Sequence, residues 1–237
     1  MKFAVILLVF SLFLGAGQAD GQLFSKADYP HRIASLSAYK ASVQKNPSLA
    51  LVNPQQLTAG IIYDLRYATS NNFTSKCMYP SNVTASFLRL PAATALQKAA
   101  TLLEKKGLGL KIFDAYRPYQ VTVEFWNLIQ DERYVAFPAK GSGHNRGIAV
   151  DLTLIELQSG KELEMGTGFD NFTDTAHHSF TQLPEMVLQN RALLKEVMEQ
   201  VGFKALDTEW WHYALPTADA FPLLDIPFKK LRPKKIK

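Results

Sequence analysis

Cys77 is the only cysteine in this chain of 237 residues, and this restricts how the protein can be stabilised. An intramolecular disulfide is impossible, and a zinc site built from several thiolates is excluded. The fold must therefore depend on a hydrophobic core, which a hydrophobic content of 47% and a charged content of 20% can supply. Because most lone cysteines are structural, we do not expect Cys77 to be a nucleophile.

The N-terminal residues have the pattern of an export signal. Lys2 precedes an apolar run at 3–14, and the small residues Gly17 and Ala19 fit a cleavage site. The run is too short to span a bilayer comfortably. We therefore expect a signal peptide at 1–19, cleavage after Ala19, and no stable membrane insertion of the mature protein. The expected location is the periplasm or the outside of the cell.

Positive charge is concentrated at the C-terminal end of the chain. The formal net charge is +5, and it becomes −2 when Lys2 and the six basic residues at 229–237 are left out. The sequence predicts one domain over 20–228 and a basic tail at 229–237. The tail fits either a solvated end or contact with anionic envelope polymers or lipid headgroups. Because no basic and aromatic patch occurs elsewhere, we expect no nucleic-acid partner.

The order of predicted elements indicates an α+β fold. Helical apolar spacing occurs over 92–106 and 185–201, and Gly107 and Gly202 follow these segments as stop signals. Because strands and helices alternate without a regular βαβ rhythm, we expect a single domain with a mostly antiparallel central sheet flanked by helices. Further predicted elements are strands at 57–67, 108–116, 148–157 and 208–215, a helix at 34–44 and a helix that begins after Arg117 and Pro118.

Two short segments, at 141–154 and 208–215, carry two imidazoles and two carboxylates. Their chemistry-bearing residues are His144, Asp151, Glu209 and His212. Three nitrogen or oxygen ligands with one open position suit a catalytic zinc ion, and the fourth group can serve as a general base. Asp151 interrupts an apolar strand, where an unpaired carboxylate is costly unless a metal or an arginine compensates it.

The spacing of these residues leaves alternatives open. A histidine among aromatic side chains, such as His212, is often a packed core residue, and a strand aspartate often lies at an edge or turn. His177 and His178 could compete as metal ligands. The residues do not form a contiguous HExxH-type motif, so spacing alone does not decide between these interpretations.

Several motifs in one order resemble those of the zinc D-alanyl-D-alanine dipeptidases. The pattern S-x-H-x-x-G-x-A-x-D ends at Asp151, and the pattern E-W-W-H-Y begins at Glu209. The matching segments run from about residue 60 to about residue 215 in the family's order. The other matching segments are YDLRYATSNNFT at 63–74, DAYRP at 114–118, MGTGFDNF at 165–172 and HH at 177–178.

The resemblance implies a role for each matching residue near the metal. His144, Asp151 and His212 would bind one zinc ion, and Glu209 would be the general base. Arg117 would stabilise negative charge on the carbonyl oxygen of the tetrahedral intermediate, a task that suits a permanently charged, planar guanidinium.

The resemblance also implies a pocket for the zwitterionic dipeptide D-Ala-D-Ala. Asp170 would pair with the ammonium group of the substrate, and Ser142 and Tyr67 would line the pocket. Trp210 would close around the methyl groups, although core packing is an alternative role for Tyr67 and Trp210. A pocket that pairs a free amine favours dipeptides, because a longer peptide leaves the buried Asp170 without its partner.

Two other functions stay open at this point. One is a related zinc D,D-carboxypeptidase or endopeptidase that acts on peptidoglycan peptides, which the export signal and the basic tail favour. The other is a non-catalytic zinc-binding module, although a purely structural site needs neither Glu209 nor Arg117. The vancomycin-resistance members of the family lack an export signal, so we expect the dipeptide here to come from peptidoglycan.

Overall fold

The computed structural model describes residues 28–231, so the predicted signal peptide at 1–19 and most of the tail at 229–237 lie outside the described residues. The helices are α1 (Leu36–Lys45), α2 (Leu90–Glu104), α3 (Tyr119–Ile129), α4 (Gly143–Arg146) and α5 (Glu185–Gln200). The strands are β1 (Arg32–Ile33), β2 (Leu51–Val52), β3 (Ile61–Tyr63), β4 (Leu88–Arg89), β5 (Leu108–Asp114), β6 (Ala149–Glu156), β7 (Lys204–Leu206), β8 (Glu209–Ala214) and β9 (Leu223–Leu224).

Five strands form the central sheet, in the order β3-β5-β6-β8-β7. β3 runs parallel to β5, and the other three pairings are antiparallel. The prediction of an α+β domain with a mostly antiparallel sheet is therefore confirmed. β6 lies at the centre, and all of its residues except Glu156 are buried. The carboxylate of Asp151, the third residue of this strand, thus lies between two neighbouring strands.

Helices α2 and α5 cover the sheet and contact each other. Helix α2 can lie close to its neighbours because its buried face carries small side chains. Four alanines of this face are fully buried: Ala92, Ala93, Ala99 and Ala100. Its buried leucines, such as Leu96, add on the order of 2 kcal/mol each through removal of apolar surface from water. The predicted helices at 92–106 and 185–201 are confirmed to within two residues at each end.

One local prediction is wrong in extent. The strand predicted at 57–67 is limited to β3, because short 3-10 helices at Pro54–Gln56 and Arg66–Ala68 flank it. The segment around His144 forms the one-turn helix α4. A further short strand, β9, follows the strand predicted at 208–215.

The two ends of the described chain meet. β1 pairs in parallel with β9, with Arg32 opposite Leu223. A little further on, the Ile226 amide donates to the Tyr116 hydroxyl at 2.8 Å, and that hydroxyl donates to the Ile226 carbonyl at 2.9 Å. The ring of Phe228 packs on Tyr116 with centroids 5.7 Å apart. The last described residues are therefore part of the packed domain.

In the part of the chain that the structure describes, every helix is too short or too polar to cross a bilayer.

Candidate active site

A cavity of about 260 Å³ is lined by residues of β6, β8 and α4 and of the long connections around them. This volume is below the roughly 300–1,000 Å³ of sites for drug-sized ligands, so the cavity suits a small substrate. Eight of the nine predicted site residues line it: Tyr67, Arg117, Ser142, His144, Asp151, Asp170, Glu209 and His212.

Helix α4 places His144 at the start of β6. Ser142 caps the helix by accepting a hydrogen bond from the Asn145 amide. At Gly143, an added Cβ would lie 2.8 Å from the Cβ of Ala149, so glycine allows the helix to touch the strand. Gly147 ends the helix with a φ of +72°, a conformation that glycine adopts without strain.

The sheet register places Asp151 beside His212. The two residues are direct partners in the antiparallel pairing of β6 and β8. Asp151 Oδ1 lies 2.8 Å from His212 Nδ1, and Asp151 Oδ2 lies 3.4 Å from His144 Nε2. The two imidazole nitrogens are 3.2 Å apart. One strand pairing and one short helix thus bring the three predicted ligands together.

The geometry of these three side chains fits a zinc ion. Two atoms that each lie about 2.1 Å from a tetrahedral ion are roughly 3.4 Å apart, close to the separations observed between the ligand atoms of His144, Asp151 and His212. All three ligand atoms lie within 4.8 Å of one another. The ring nitrogens and the carboxylate also match the donors that zinc takes when no thiolate is available.

A backbone carbonyl orients the first histidine. His144 Nδ1 lies 2.7 Å from the carbonyl oxygen of Ala115, so Nδ1 carries the proton and donates it. This hydrogen bond leaves His144 Nε2, which faces Asp151 and His212, as the ring nitrogen available to a metal ion. Burial favours a protonated Asp151, but the imidazoles of His144 and His212 outweigh burial and hold the pKa of Asp151 below its ordinary value.

Arg117 is held in place by Asp114, a residue to which the sequence analysis assigned no role. Arg117 Nε and Nη2 donate to Asp114 Oδ2 at 3.0 and 2.7 Å, and the Asp114 side chain is fully buried. Asp114 Oδ1 also accepts from the Tyr79 hydroxyl at 2.7 Å. Arg117 Nη2 lies 3.9 Å from Asp151 Oδ2, so the guanidinium faces the proposed metal ligands. An acidic residue three positions before Arg117 is the signal that could have revealed this pair.

Glu209 lies next to the candidate ligand His212. Its side chain is only 9% exposed, and Oε2 lies 3.9 Å from His212 Nδ1. Burial raises the pKa of Glu209 to about 8, and the nearby carboxylates of Asp151 and Asp170 add to this effect. A cation at the candidate metal site would lower this pKa, because it favours the charged carboxylate. A carboxylate in that range can both accept and return a proton at physiological pH.

Asp170 is a further carboxylate that lines the cavity. Its backbone has a φ of +61°, an uncommon conformation that Asp tolerates better than most residues. The Tyr67 hydroxyl donates to Asp170 Oδ1 at 3.0 Å, and the Phe73 amide donates to Oδ2 at 3.4 Å. Burial, with a contribution from Asp151, raises the pKa of Asp170 to about 7. The structure therefore places Tyr67 as the residue that orients Asp170.

Trp210, the ninth predicted site residue, does not line this cavity. Its Nε1 donates to Thr167 Oγ1 at 2.8 Å, and its ring borders a separate, more polar pocket. The neighbouring Trp211 lines the cavity instead and packs on Phe169 with centroids 5.6 Å apart. Trp211, and not the predicted Trp210, therefore borders the cavity.

The alternative ligands and the cysteine lie elsewhere. His177 and His178 do not belong to the group of candidate ligand atoms. His178 packs against Tyr213 with ring centroids 6.2 Å apart, and burial lowers the pKa of His178 to about 4. Cys77 is exposed and does not line the cavity.

Comparisons with known proteins show which family the chain is similar to. A model of the family described as D-ala-D-ala dipeptidase matches residues 47–231. A D-alanyl-D-alanine dipeptidase of Escherichia coli (strain K12) is 39% identical over 161 residues, which are 68% of this chain and 82% of that protein. A D-alanyl-D-alanine dipeptidase of Enterococcus faecium is 34% identical over 178 residues and covers 68% of this chain and 88% of that protein. A solved structure of VanYB in complex with D-Alanine-D-Alanine is 16% identical, covers 56% of this chain and 74% of that chain, and has a TM-score of 0.37.

Proposed function

The chain belongs to the D-ala-D-ala dipeptidase family, and we propose that it hydrolyses D-Ala-D-Ala to two molecules of D-alanine with one bound zinc ion. One observation supports the proposal above all others. A single small cavity brings together three zinc-compatible ligands, a buried carboxylate and a buried guanidinium. A site that only binds zinc has no need for the last two groups.

His144, Asp151 and His212 are the residues that would hold the metal. A zinc ion bound there would polarise the scissile carbonyl and lower the pKa of a water molecule in the remaining position. The Ala115 carbonyl keeps His144 in the tautomer that this binding requires.

Glu209 would transfer the protons, and Arg117 would stabilise the negative charge. The Glu209 carboxylate accepts a proton from the attacking water and delivers it to the amine that leaves, so that two D-alanine molecules are formed. The Arg117 guanidinium donates to the carbonyl oxygen as negative charge develops on it. Because Asp114 holds Arg117 before the substrate arrives, little reorganisation is needed during the reaction.

Asp170 would bind the ammonium group of the dipeptide, with Tyr67 fixing the direction of its carboxylate. Trp211 would contact the methyl groups. Ser142 lines the same cavity, and although its Oγ accepts the helix-capping bond, its hydroxyl proton can still be donated to the substrate.

We expect the Asp170→Asn variant to raise KM for D-Ala-D-Ala by about 10- to 100-fold, because a charged hydrogen bond to the ammonium is lost. With a pKa of about 7, the carboxylate of Asp170 becomes protonated as the pH falls below neutrality. KM of the unaltered protein should therefore rise on the acid side of pH 7, and this rise should be absent in Asp170→Asn. Initial rates measured across the pH range test both points.

Asp174→Asn is the matched control for this variant. Asp174 lies on the same connection, its side chain is 89% exposed, and it does not border the cavity. Its KM should stay within about twofold of the unaltered protein at every pH. An unchanged KM in Asp170→Asn would contradict the assignment of the ammonium site.

The proposed function is tested by measuring free D-alanine released from D-Ala-D-Ala, with and without a zinc chelator. We expect release that the chelator abolishes and added zinc restores. Release of D-alanine from intact muropeptides but not from the dipeptide would favour a carboxypeptidase or endopeptidase. Stable zinc binding without hydrolysis of either substrate would favour a non-catalytic module.

We also propose that the protein is exported and acts on dipeptide released from peptidoglycan. The support is the N-terminal sequence, in which Lys2 and an apolar run precede the small residues Gly17 and Ala19. Cell fractionation and N-terminal sequencing should find a mature protein that begins after Ala19. Uncleaved protein found only in the cytosol would refute this location.

A further inference from the structure

Arg191 is a buried arginine of α5 that lies outside the lining of the active-site cavity. Its Nε donates to the carbonyl oxygen of Met165 at 2.7 Å, and its Nη1 donates to the carbonyl oxygens of Thr175 and His177 at 3.0 and 3.3 Å. These acceptors are backbone carbonyls and not carboxylates. One guanidinium therefore joins two backbone segments that are about ten residues apart in the sequence.

The chain between these two segments carries Asp170, and we call residues 165–177 the Asp170 connection. Asp170 lies five residues after Met165 and five residues before Thr175, and its side chain lines the cavity. The structure describes one regular element in this connection, the 3-10 helix at Asp174–Ala176. Regular structure therefore supplies few partners to its backbone, and the place of Asp170 depends on how the two ends are held.

Trp210 makes a second contact with the same connection. Its Nε1 donates to Thr167 Oγ1 at 2.8 Å, and the Arg191 guanidinium carbon lies 5.9 Å from the centroid of its ring. Trp210 belongs to β8 and Arg191 to α5, so two regular elements hold an irregular segment. Groups supported in this way by packed neighbours keep a more exact geometry than groups on an unsupported loop.

We propose that Arg191 is a positioning residue, which fixes Asp170 in the cavity by holding both ends of the Asp170 connection on α5. This inference rests on the proposed function, in which Asp170 pairs with the ammonium group of the substrate. Fixing both ends restricts the conformations of the intervening chain, so less order has to be gained when the substrate binds. Arginine suits this task because its planar guanidinium presents several N–H donors at fixed angles.

The Arg191→Met variant removes the donors and keeps an unbranched side chain of similar size. We expect it to raise KM for D-Ala-D-Ala about tenfold, because a small displacement of a binding group has effects of at least this size. The value of kcat should stay within about threefold, since Glu209 and the candidate metal ligands lie outside the Asp170 connection. Steady-state kinetics and zinc analysis of the same preparation measure these quantities.

A double variant separates positioning of Asp170 from a general loss of stability. In the Asp170→Asn background the carboxylate is already absent, so Arg191→Met should change KM by less than about twofold. Arg89→Met is the matched control, because Arg89 is also buried and donates to the carbonyl oxygens of Arg146 and Pro222, outside the connection. Any change in KM that Arg89→Met causes should be the same in both backgrounds.

Hydrogen exchange gives a readout that does not depend on catalysis. The backbone amides at 166–174 should exchange faster in Arg191→Met than in the unaltered protein, while those of β6 should be unchanged. Arg191→Lys and Thr167→Val are milder changes that serve if Arg191→Met does not fold. The first keeps the charge with a less suitable geometry, and the second removes the acceptor of Trp210. Each should raise KM about two- to fivefold, and Asp170→Asn should abolish this increase.

The outcomes distinguish this inference from the proposed function. An equal effect of the Arg191 variants on KM with and without Asp170→Asn, or unchanged exchange at 166–174, would overturn the positioning role and leave the proposed function intact. An unchanged KM in Asp170→Asn itself would overturn the ammonium site and the positioning role together. Failure of the unaltered protein to cleave D-Ala-D-Ala would overturn the proposed function, and exchange at 166–174 would then still decide whether Arg191 holds the connection.

Discussion

Replacement of Glu209 by glutamine is expected to lower kcat for D-Ala-D-Ala by about 10²- to 10⁴-fold, the usual contribution of a general base. Glutamine has nearly the same shape but cannot accept the proton of the attacking water. Because Glu209 lies 3.9 Å from His212 and outside the group of candidate ligand atoms, zinc content should be unchanged. Steady-state kinetics and metal analysis of the same preparation check the two expectations.

The fold should tolerate this replacement. Burial opposes the charged form of Glu209, as its raised pKa of about 8 indicates, so a neutral side chain at this position does not add a desolvation cost. Glu156→Gln is the control, because Glu156 ends the neighbouring strand β6, is exposed and lies outside the cavity. Loss of zinc from Glu209→Gln would mean that Glu209 is a ligand, and full activity would mean that it is not the base.

The second large effect is expected at Arg117. In Arg117→Ala we expect kcat/KM to fall by about 10²- to 10³-fold, because a donor to the developing negative charge is lost. The free energy of unfolding should fall as well, by about 3–5 kcal/mol, because the fully buried Asp114 loses the partner of its carboxylate. Kinetics and chemical denaturation of the variant measure the two losses separately.

A double variant distinguishes the two roles of this arginine. Asp114→Ala/Arg117→Ala removes the orphaned carboxylate together with the guanidinium, so part of the stability should return. Activity should not return, since the donor to the carbonyl oxygen is still missing. If activity recovered together with stability, Arg117 would be a structural residue and the proposed stabilisation of charge would be refuted.

Much of the candidate site could be predicted because its parts follow regular structure. His144, Asp151 and His212 lie in two short segments, and the pairing of β6 with β8 is enough to place two of them side by side. Asp151 within an apolar strand indicated a nearby metal or arginine, since a buried carboxylate requires compensation. The helices at 92–106 and 185–201 could also be predicted, because their apolar residues repeat with helical spacing.

The remaining features depend on contacts that no local pattern contains. Trp210 and Trp211 are adjacent and chemically alike, and the choice between them depends on how β8 packs against Phe169 and Thr167. The spacing of Asp114 and Arg117 is a local signal for their pairing, but the geometry of the pair depends on the end of β5, where the register with β6 shifts.

The parallel pairing of β1 with β9 has a consequence for how the chain is made. Arg32 and Ile33 leave the ribosome early, but their partners Leu223 and Leu224 are among the last residues of the domain to be synthesised. Contacts so distant in sequence form late and slowly, and the domain cannot close before translation is almost complete.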